Sequence, residues 1–322
     1  SNKQKTMSNI ILTTDCQRKC KYCFAKDNID KPMSFQMGNF IKTVDWLTKD
    51  NNMTNRVGLL GGEPTLHPRF IEFLDYLLSK KLNTLVFTNG MVEEKDILEI
   101  VKIAQKNKVK HMDHLCFCIN VNEEKYRSQK EQRLQTQFLK ILGRVSVPSF
   151  NIFEENCDFG FLVDLINKYN TVRNIRFGLA SPLGNRNNFM ELDGYKAIGD
   201  KLTEFTSIRK KHKIKIGLDC GFPKCMFTEE QRKLIIDSPV DNFSFGCGPY
   251  IDIYPDLTVA SCYPLSRIKK VKMEDWPSYN ELFQHWGNEV EELEPIYNKC
   301  YDCDWFADHS CSGGCKAHKI NG

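Results

Sequence analysis

Six short apolar runs, at residues 10–13, 56–60, 84–87, 115–119, 150–153 and 174–179, recur along this 322-residue chain, and segments with helical spacing separate them. The helical segments fall at 34–49, 68–80, 93–106, 123–142 and 158–169; in the second, Phe70, Leu74, Leu77 and Leu78 repeat on one face. Strands that alternate with helices pair in parallel, because a parallel neighbour is reached only through a crossover. The pattern predicts a curled parallel sheet of six βα units, with functional groups gathered at the carboxyl ends of the strands.

After about residue 215 the texture changes. Turn residues become frequent, as in Gly221-Phe222-Pro223 and Gly246-Cys247-Gly248-Pro249, and residues 250–259 read as a hairpin turning near Pro255 and Asp256. One more helix, 278–293, precedes the last four cysteines. Two parts are expected: a barrel-like domain over 1–215 and a smaller cysteine-rich domain over 216–322.

Charge narrows the choice of partner. The 45 basic and 41 acidic side chains nearly balance, which gives no strong argument for nucleic acid, and no nucleic-acid partner is expected. The basic clusters Arg209–Lys213 and Lys269, Lys270 and Lys272 read as solvated charge. No apolar run approaches the ~20 residues that span a bilayer, and the first residues are polar, so no membrane partner and a cytoplasmic location are expected. In a reducing compartment, fourteen cysteines point to metal binding or catalysis rather than to disulfides.

Three of those cysteines, Cys16, Cys20 and Cys23, follow the first predicted strand within one short loop. A loop of this length can wrap one face of a cubane cluster: three thiolates hold three irons and leave the fourth open to a chelating substrate. Arg18, Lys19 and Lys21 would offset part of the cluster's negative charge. A zinc or redox-thiol reading stays open for the loop taken alone.

The spacing Cys16-x3-Cys20-x2-Cys23, with Tyr22 before the last cysteine, resembles the signature of the radical S-adenosylmethionine (SAM) superfamily. Gly61-Gly62-Glu63-Pro64, directly after the second strand, is similar to that family's GGEP motif, whose backbone meets the methionyl amine of SAM while Glu63 places a carboxylate beside a cation. The resemblance covers Asn9 to Pro182. It implies a partial (β/α)6 barrel with a 4Fe-4S cluster and SAM in its mouth. It also implies ligand contacts from Thr88 and Asn89 after the third strand, from Asn120 with Asn122 after the fourth, and from Ser181 after the sixth.

The terminal cysteines extend the likeness. Cys247 and Cys262 with the hairpin between them, and Cys300-x2-Cys303-x7-Cys311-x3-Cys315, resemble the SPASM or twitch domains that bind auxiliary 4Fe-4S clusters. Leu257 stands where the family usually has Gly, the seven-residue gap is commonly five, and no cysteine follows Cys315. By analogy Cys247, Cys262 and Cys315 serve one cluster and Cys300, Cys303 and Cys311 another, each one ligand short, with Cys220 or Cys225 able to supply a missing thiolate. A single twitch-like cluster on Cys247, Cys262, Cys300 and Cys303 is the alternative, and a zinc ribbon is the structural one. Cys116 and Cys118 share a strand face and, like Cys157, read as small buried hydrophobes.

The resemblance implies a radical SAM enzyme that reductively cleaves SAM to a 5'-deoxyadenosyl radical and abstracts a hydrogen atom. Modification of a peptide or protein side chain by oxidation, crosslinking or thioether formation leads. A dehydrogenase or epimerase of a small metabolite, such as an aminoglycoside precursor, is second, and a zinc-binding interaction module is remote. A low-potential donor such as flavodoxin or ferredoxin is implied. The nine residues before the first predicted strand suggest no amino-terminal leader-binding domain. Anaerobic sulfatase maturases carry a basic Asp after the second hairpin cysteine, where this chain has Tyr263. The expectation is a different reaction, with Asp219 as the candidate proton acceptor and Tyr263 as a hydrogen-bond or hydrogen-atom donor.

Overall fold

Strand β1 (Met7–Thr13) joins the amino-terminal parallel strands to the carboxyl-terminal part, pairing with Arg56–Gly61 on one edge and with Asp252–Ile253 on the other. The structure, a computed structural model, describes residues 7–29, 32–49, 56–109, 114–236, 242–243 and 245–321. The polar residues 1–6 read above lie outside it. On one side of β1 follow β2 (Arg56–Gly61), β3 (Asn83–Thr88), β4 (Leu115–Asn120), β5 (Ser146–Ile152), β6 (Asn174–Leu179), β7 (Lys215–Leu218) and β8 (Asn242–Phe243), each parallel to the last. On the other side lie β9 (Asp252–Ile253), β10 (Thr258–Ala260) and β11 (Val271–Lys272). The expected hairpin is thus β9 and β10, and β9 continues the sheet parallel to β1 with Asn9 opposite Asp252.

Alternation along each strand decides what faces where. Ile10, Leu12, Val57, Leu59, Val86, Phe117, Ile119, Phe150 and Phe177 pack into one core with the helices Met37–Thr48, Phe70–Ser79, Glu94–Lys106, Gln129–Leu142 and Gly160–Tyr169. Each such side chain, once fully buried, contributes roughly 1.5–3 kcal/mol. The opposite face looks inward. There the Arg176 guanidinium on β6 lies over the Phe87 ring on β3, 5.7 Å from its centre. Three strand spacings on a flat sheet would be roughly 14 Å, so the sheet curls into the expected partial barrel.

All six predicted strands and all six predicted helices are present, with shifted ends; the one expected over 278–293 is Tyr279–Glu292. The helix expected over 123–142 begins at Gln129, where the Ser128 side chain accepts from the Glu131 amide, and a separate short turn occupies Glu124–Tyr126. Strand β5 starts four residues early because Ser146 and Pro148 mask its beginning. The helix Tyr195–Lys211 and strands β7, β8 and β11 were not anticipated. Cys116 and Cys118 are buried on the inner face of β4, and Cys157 is buried as well. Among the described residues no helix is long and apolar enough to cross a membrane.

Candidate functional site

The cysteine loop leaves β1 and is clasped at once by the turn after β2. The Gly62 amide donates to the Thr13 carbonyl at 2.8 Å and the Glu63 amide to the Asp15 carbonyl at 2.7 Å. Two glycines make this approach possible. A Cβ on Gly61 would stand 2.3 Å from the Thr13 oxygen, and one on Gly62 would stand 2.3 Å from that of Asp15. Pro64, buried, opens the short helical turn Pro64–Leu66 that follows. The first and second motifs of the sequence are therefore one structural unit.

Glu63 then ties this unit to β3. Its carboxylate is fully buried and accepts from the hydroxyls of Thr65 and Thr88, both at 2.7 Å, and from the Asn89 amide at 2.7 Å. Burial raises its pKa, and the donors from Asn89, Thr65 and Thr88 oppose that rise. The Asn89 side chain in turn donates to Gln17 and lies 3.9 Å from the Cys16 sulfur. Gln17 donates to the Met91 carbonyl, closing the circuit.

Strand β4 and its following turn meet the loop from the other side. Arg18, buried, pairs with Glu131 at 2.7 Å and donates to both the backbone and side-chain oxygens of Asn120. The Tyr22 hydroxyl donates to Asn120 at 2.6 Å and lies 2.9 Å from the Asn122 amide. Its ring stacks on Phe153, with Ala180 in the same small cluster. Of the three basic residues in the loop only Arg18 turns inward; Lys19 and Lys21 are exposed. The Asn187 amide joins the carbonyls of Tyr22 and Ser181, fixing the end of β6 to the loop. The Ser181 hydroxyl is buried without a partner.

Burial pushes the Cys16 thiol up to about 12; Glu63 and the thiols of Cys20 and Cys23 add to this, against a hydrogen bond from the Arg18 backbone. Cys20 and Cys23 are raised by burial too. All three are free. Thiols that feel one another's charge, one inward arginine and an unpartnered hydroxyl at the neighbouring strand end form a donor set that suits an iron–sulfur cluster with a polar ligand beside it.

Deeper in the barrel Arg176 forms an ion pair with Asp219 just past β7 and donates to Ser149 at 3.0 Å. The Tyr250 hydroxyl stands 3.5 Å from Asp219. This pair is reachable: its side chains are 30% and 25% exposed. Asp219 is thus inside the barrel but engaged by a guanidinium. Tyr263 is buried, packs edge-on against Phe24 at 5.2 Å and against Tyr254 at 5.7 Å, and fastens the hairpin to the cysteine loop.

The eight cysteines after residue 215 fall into two groups. Burial pushes the Cys220 thiol well up, and Asp219, Cys247, Cys315 and Cys262 push the same way. Burial likewise lifts Cys262 well up, with Asp252, Cys247 and Cys315 adding, and lifts Cys315 to about 12. The second group is Cys300 with Cys311 and Cys303, joined by Cys225, which feels Cys311 and Cys300. Among the described residues no three His, Cys, Asp or Glu side chains converge on a point as one ion requires. Zinc draws its thiolates to about 2.3 Å from a single centre, whereas a cubane meets each thiolate at a separate iron and holds the sulfurs farther apart.

Gln17, Asn187 and Arg176 were not among the site residues expected from sequence, whereas Cys220 and Cys225 were expected as alternative sources of a missing thiolate. A lone arginine within the apolar run of β6 was the one available signal for Arg176. Gln17 and Asn187 are polar residues in loops, where spacing carries no information.

The family model of the radical SAM superfamily matches residues 10–119. The chain is 28% identical over 149 residues to the antilisterial bacteriocin subtilosin biosynthesis protein AlbA of Bacillus subtilis (strain 168), covering 45% of this chain and 33% of AlbA. It is 30% identical over 82 residues to an S-adenosylmethionine-dependent nucleotide dehydratase of Selenomonas ruminantium, covering 26% of this chain and 29% of that one. The chain spans about a third of the length of the curated relatives it matches. Its fold is like that of Streptococcus suis SuiB bound to the precursor peptide SuiA, with a TM-score of 0.70 at 14% identity, over 99% of this chain and 74% of that one. With the cysteine loop, the GGEP turn and the third strand end joined inside the matched segment, residues 10–119 carry a radical SAM domain, followed by a cysteine-rich carboxyl-terminal part.

Proposed function

We propose that Cys16, Cys20 and Cys23 hold a 4Fe-4S cluster, that SAM binds beside it, and that the enzyme modifies a side chain of a peptide or protein. The observation that carries this is the single hydrogen-bonded unit made by the cysteine loop, Gly61 to Pro64, and Thr88 with Asn89. When bound, the cluster and SAM supply a one-electron reductive cleavage that ends in removal of a hydrogen atom from the substrate. The chain's own residues orient and shield. Glu63 positions the ends of β2 and β3, and Arg18 places a buried positive charge beside the thiolates. Tyr22 and Asn120 brace the loop, and the free Ser181 hydroxyl is available to a ligand.

We assign the barrel to residues 1–215 and an auxiliary, SPASM-like part with one or two further clusters to 216–322. A peptide substrate is supported by the named roles of AlbA and by the SuiB complex. The nucleotide dehydratase among the relatives supports a small-metabolite substrate as the second reading. The reductant is a low-potential donor of the flavodoxin or ferredoxin kind. Anaerobically reconstituted, dithionite-reduced protein is expected to yield 5'-deoxyadenosine and methionine from SAM, and Cys20→Ala to yield neither. Normal cleavage by that variant would overturn the assignment.

A further inference from the structure

The loop between β7 and the helix Glu229–Ile236 holds two cysteines five positions apart, and it is wedged between the two carboxyl-terminal thiol groups. Gly221, next to Cys220, comes so close to Cys315 that a Cβ placed on it would stand 3.1 Å from the Cys315 Cβ; its φ of +103° suits glycine. At the other end of the loop, Lys224 lies 5.8 Å from the Trp305 ring centre and Arg232 lies 4.2 Å from it. Trp305 sits between Cys303 and Cys311, and its carbonyl accepts from the Cys311 amide at 2.9 Å. Arg232 also donates to the carbonyls of Lys224 and Phe227, which holds the turn Lys224–Met226 in place. One end of the loop is thus docked on the Cys315 segment and the other on the Cys303–Cys311 segment.

We infer that this loop completes both auxiliary sites: Cys220 joins Cys247, Cys262 and Cys315 as the fourth thiolate of one 4Fe-4S cluster, and Cys225 joins Cys300, Cys303 and Cys311 as the fourth thiolate of another. The inference rests on the auxiliary-cluster reading above. The electrostatic neighbours of each thiol agree with the partition. Each thiol gives up its proton to solvent as its sulfur binds iron, with no change in the oxidation state of sulfur. The two sites then differ in what they face. Cys220 follows Asp219, which pairs with Arg176 inside the barrel, so the first site adjoins the barrel interior, while the exposed position of Cys225 places the second toward the outside.

The test uses the anaerobically reconstituted full chain and compares wild type with Cys220→Ala, Cys225→Ala and the double variants Cys225→Ala/Cys303→Ala and Cys225→Ala/Cys262→Ala. Readouts are iron and sulfide per chain and low-temperature EPR of the reduced protein. Wild type is expected to hold roughly twelve irons, three four-iron clusters. Cys220→Ala and Cys225→Ala should each change a different EPR component, Cys303→Ala should add nothing to Cys225→Ala, and Cys262→Ala should remove a second component. A second measurement covers the case in which a variant fails to fold: in loaded wild type, Cys220 and Cys225 should resist iodoacetamide and become alkylated after iron is chelated. Wild type with iron for a single cluster would overturn the auxiliary reading itself. Several clusters with unchanged spectra in Cys225→Ala or Cys220→Ala, or ready alkylation of either thiol in the loaded protein, would overturn the ligand assignment alone.

Discussion

The Asn89 side-chain amide reaches within 3.9 Å of the Cys16 sulfur while the Asn89 backbone amide donates to Glu63 at 2.7 Å. One residue at the end of β3 therefore registers the cysteine loop against the GGEP turn. A carboxylate that satisfies three strand-end donors is a positioning residue as well as a candidate partner for a cationic ligand.

Replacing Glu63 separates those roles. In Glu63→Ala the buried Asn89 amide loses its acceptor, at a cost of about 1–3 kcal/mol. The variant should melt earlier and bind SAM at least tenfold more weakly while keeping its iron at the Cys16 site. Glu63→Gln keeps one acceptor oxygen and should recover most of the stability but not the affinity. Denaturant unfolding and equilibrium binding of SAM decide the matter, and unchanged affinity in both variants would refute it.

Arg18 and Glu131 are each 5% exposed and 2.7 Å apart. Removing one partner strands the other charge, so Arg18→Met should cost about 3–5 kcal/mol. The double variant Arg18→Met/Glu131→Met should recover much of that loss. If the two single losses simply add, the pair is not coupled.

Iron loading should depend on pH with a definite sign. The thiols of Cys16 and Cys315 are pushed up to about 12 by burial, and those of Cys220 and Cys262 lie well above their ordinary value. They are protonated at neutral pH, so each iron–thiolate bond releases a proton and loading strengthens as pH rises. Iron bound per chain at limiting iron, measured anaerobically between pH 6 and pH 9, should increase; a flat profile would contradict these shifts.

Asp252 accepts from Asn9 at 2.7 Å at the seam between β1 and β9, and burial raises its pKa to about 6. Its unfolded value is ~3.9, so between the two the folded chain binds the extra proton. The contribution is greatest below about pH 4 and is lost as pH rises to about 6. Two pKa units are worth about 3 kcal/mol. Asp252→Asn should therefore be more stable than wild type at pH 7 by up to about 3 kcal/mol and nearly equal to it at pH 4. Side-by-side urea unfolding at the two pH values measures the difference.

What the sequence determined by itself was local. Apolar periodicity located the six strands and six helices, and the spacings of Cys16, Cys20 and Cys23 and of Gly61 to Pro64 placed two motifs at strand ends, because residues a few positions apart cannot separate in space. Strand β7, four residues long with Gly217 inside it, carried too little pattern to be seen. Only the tertiary structure decided which distant groups meet. Parallel pairing brings Asn89 to Cys16, curling of the sheet carries Arg176 over Phe87, and the edge of β1 accepts a hairpin 243 positions away, where Asn9 finds Asp252. The sorting of Cys220 and Cys225 is of the same kind. Five residues of loop can reach either thiol group, and the packing of Gly221 on Cys315 and of Lys224 on Trp305 is what assigns each to its own.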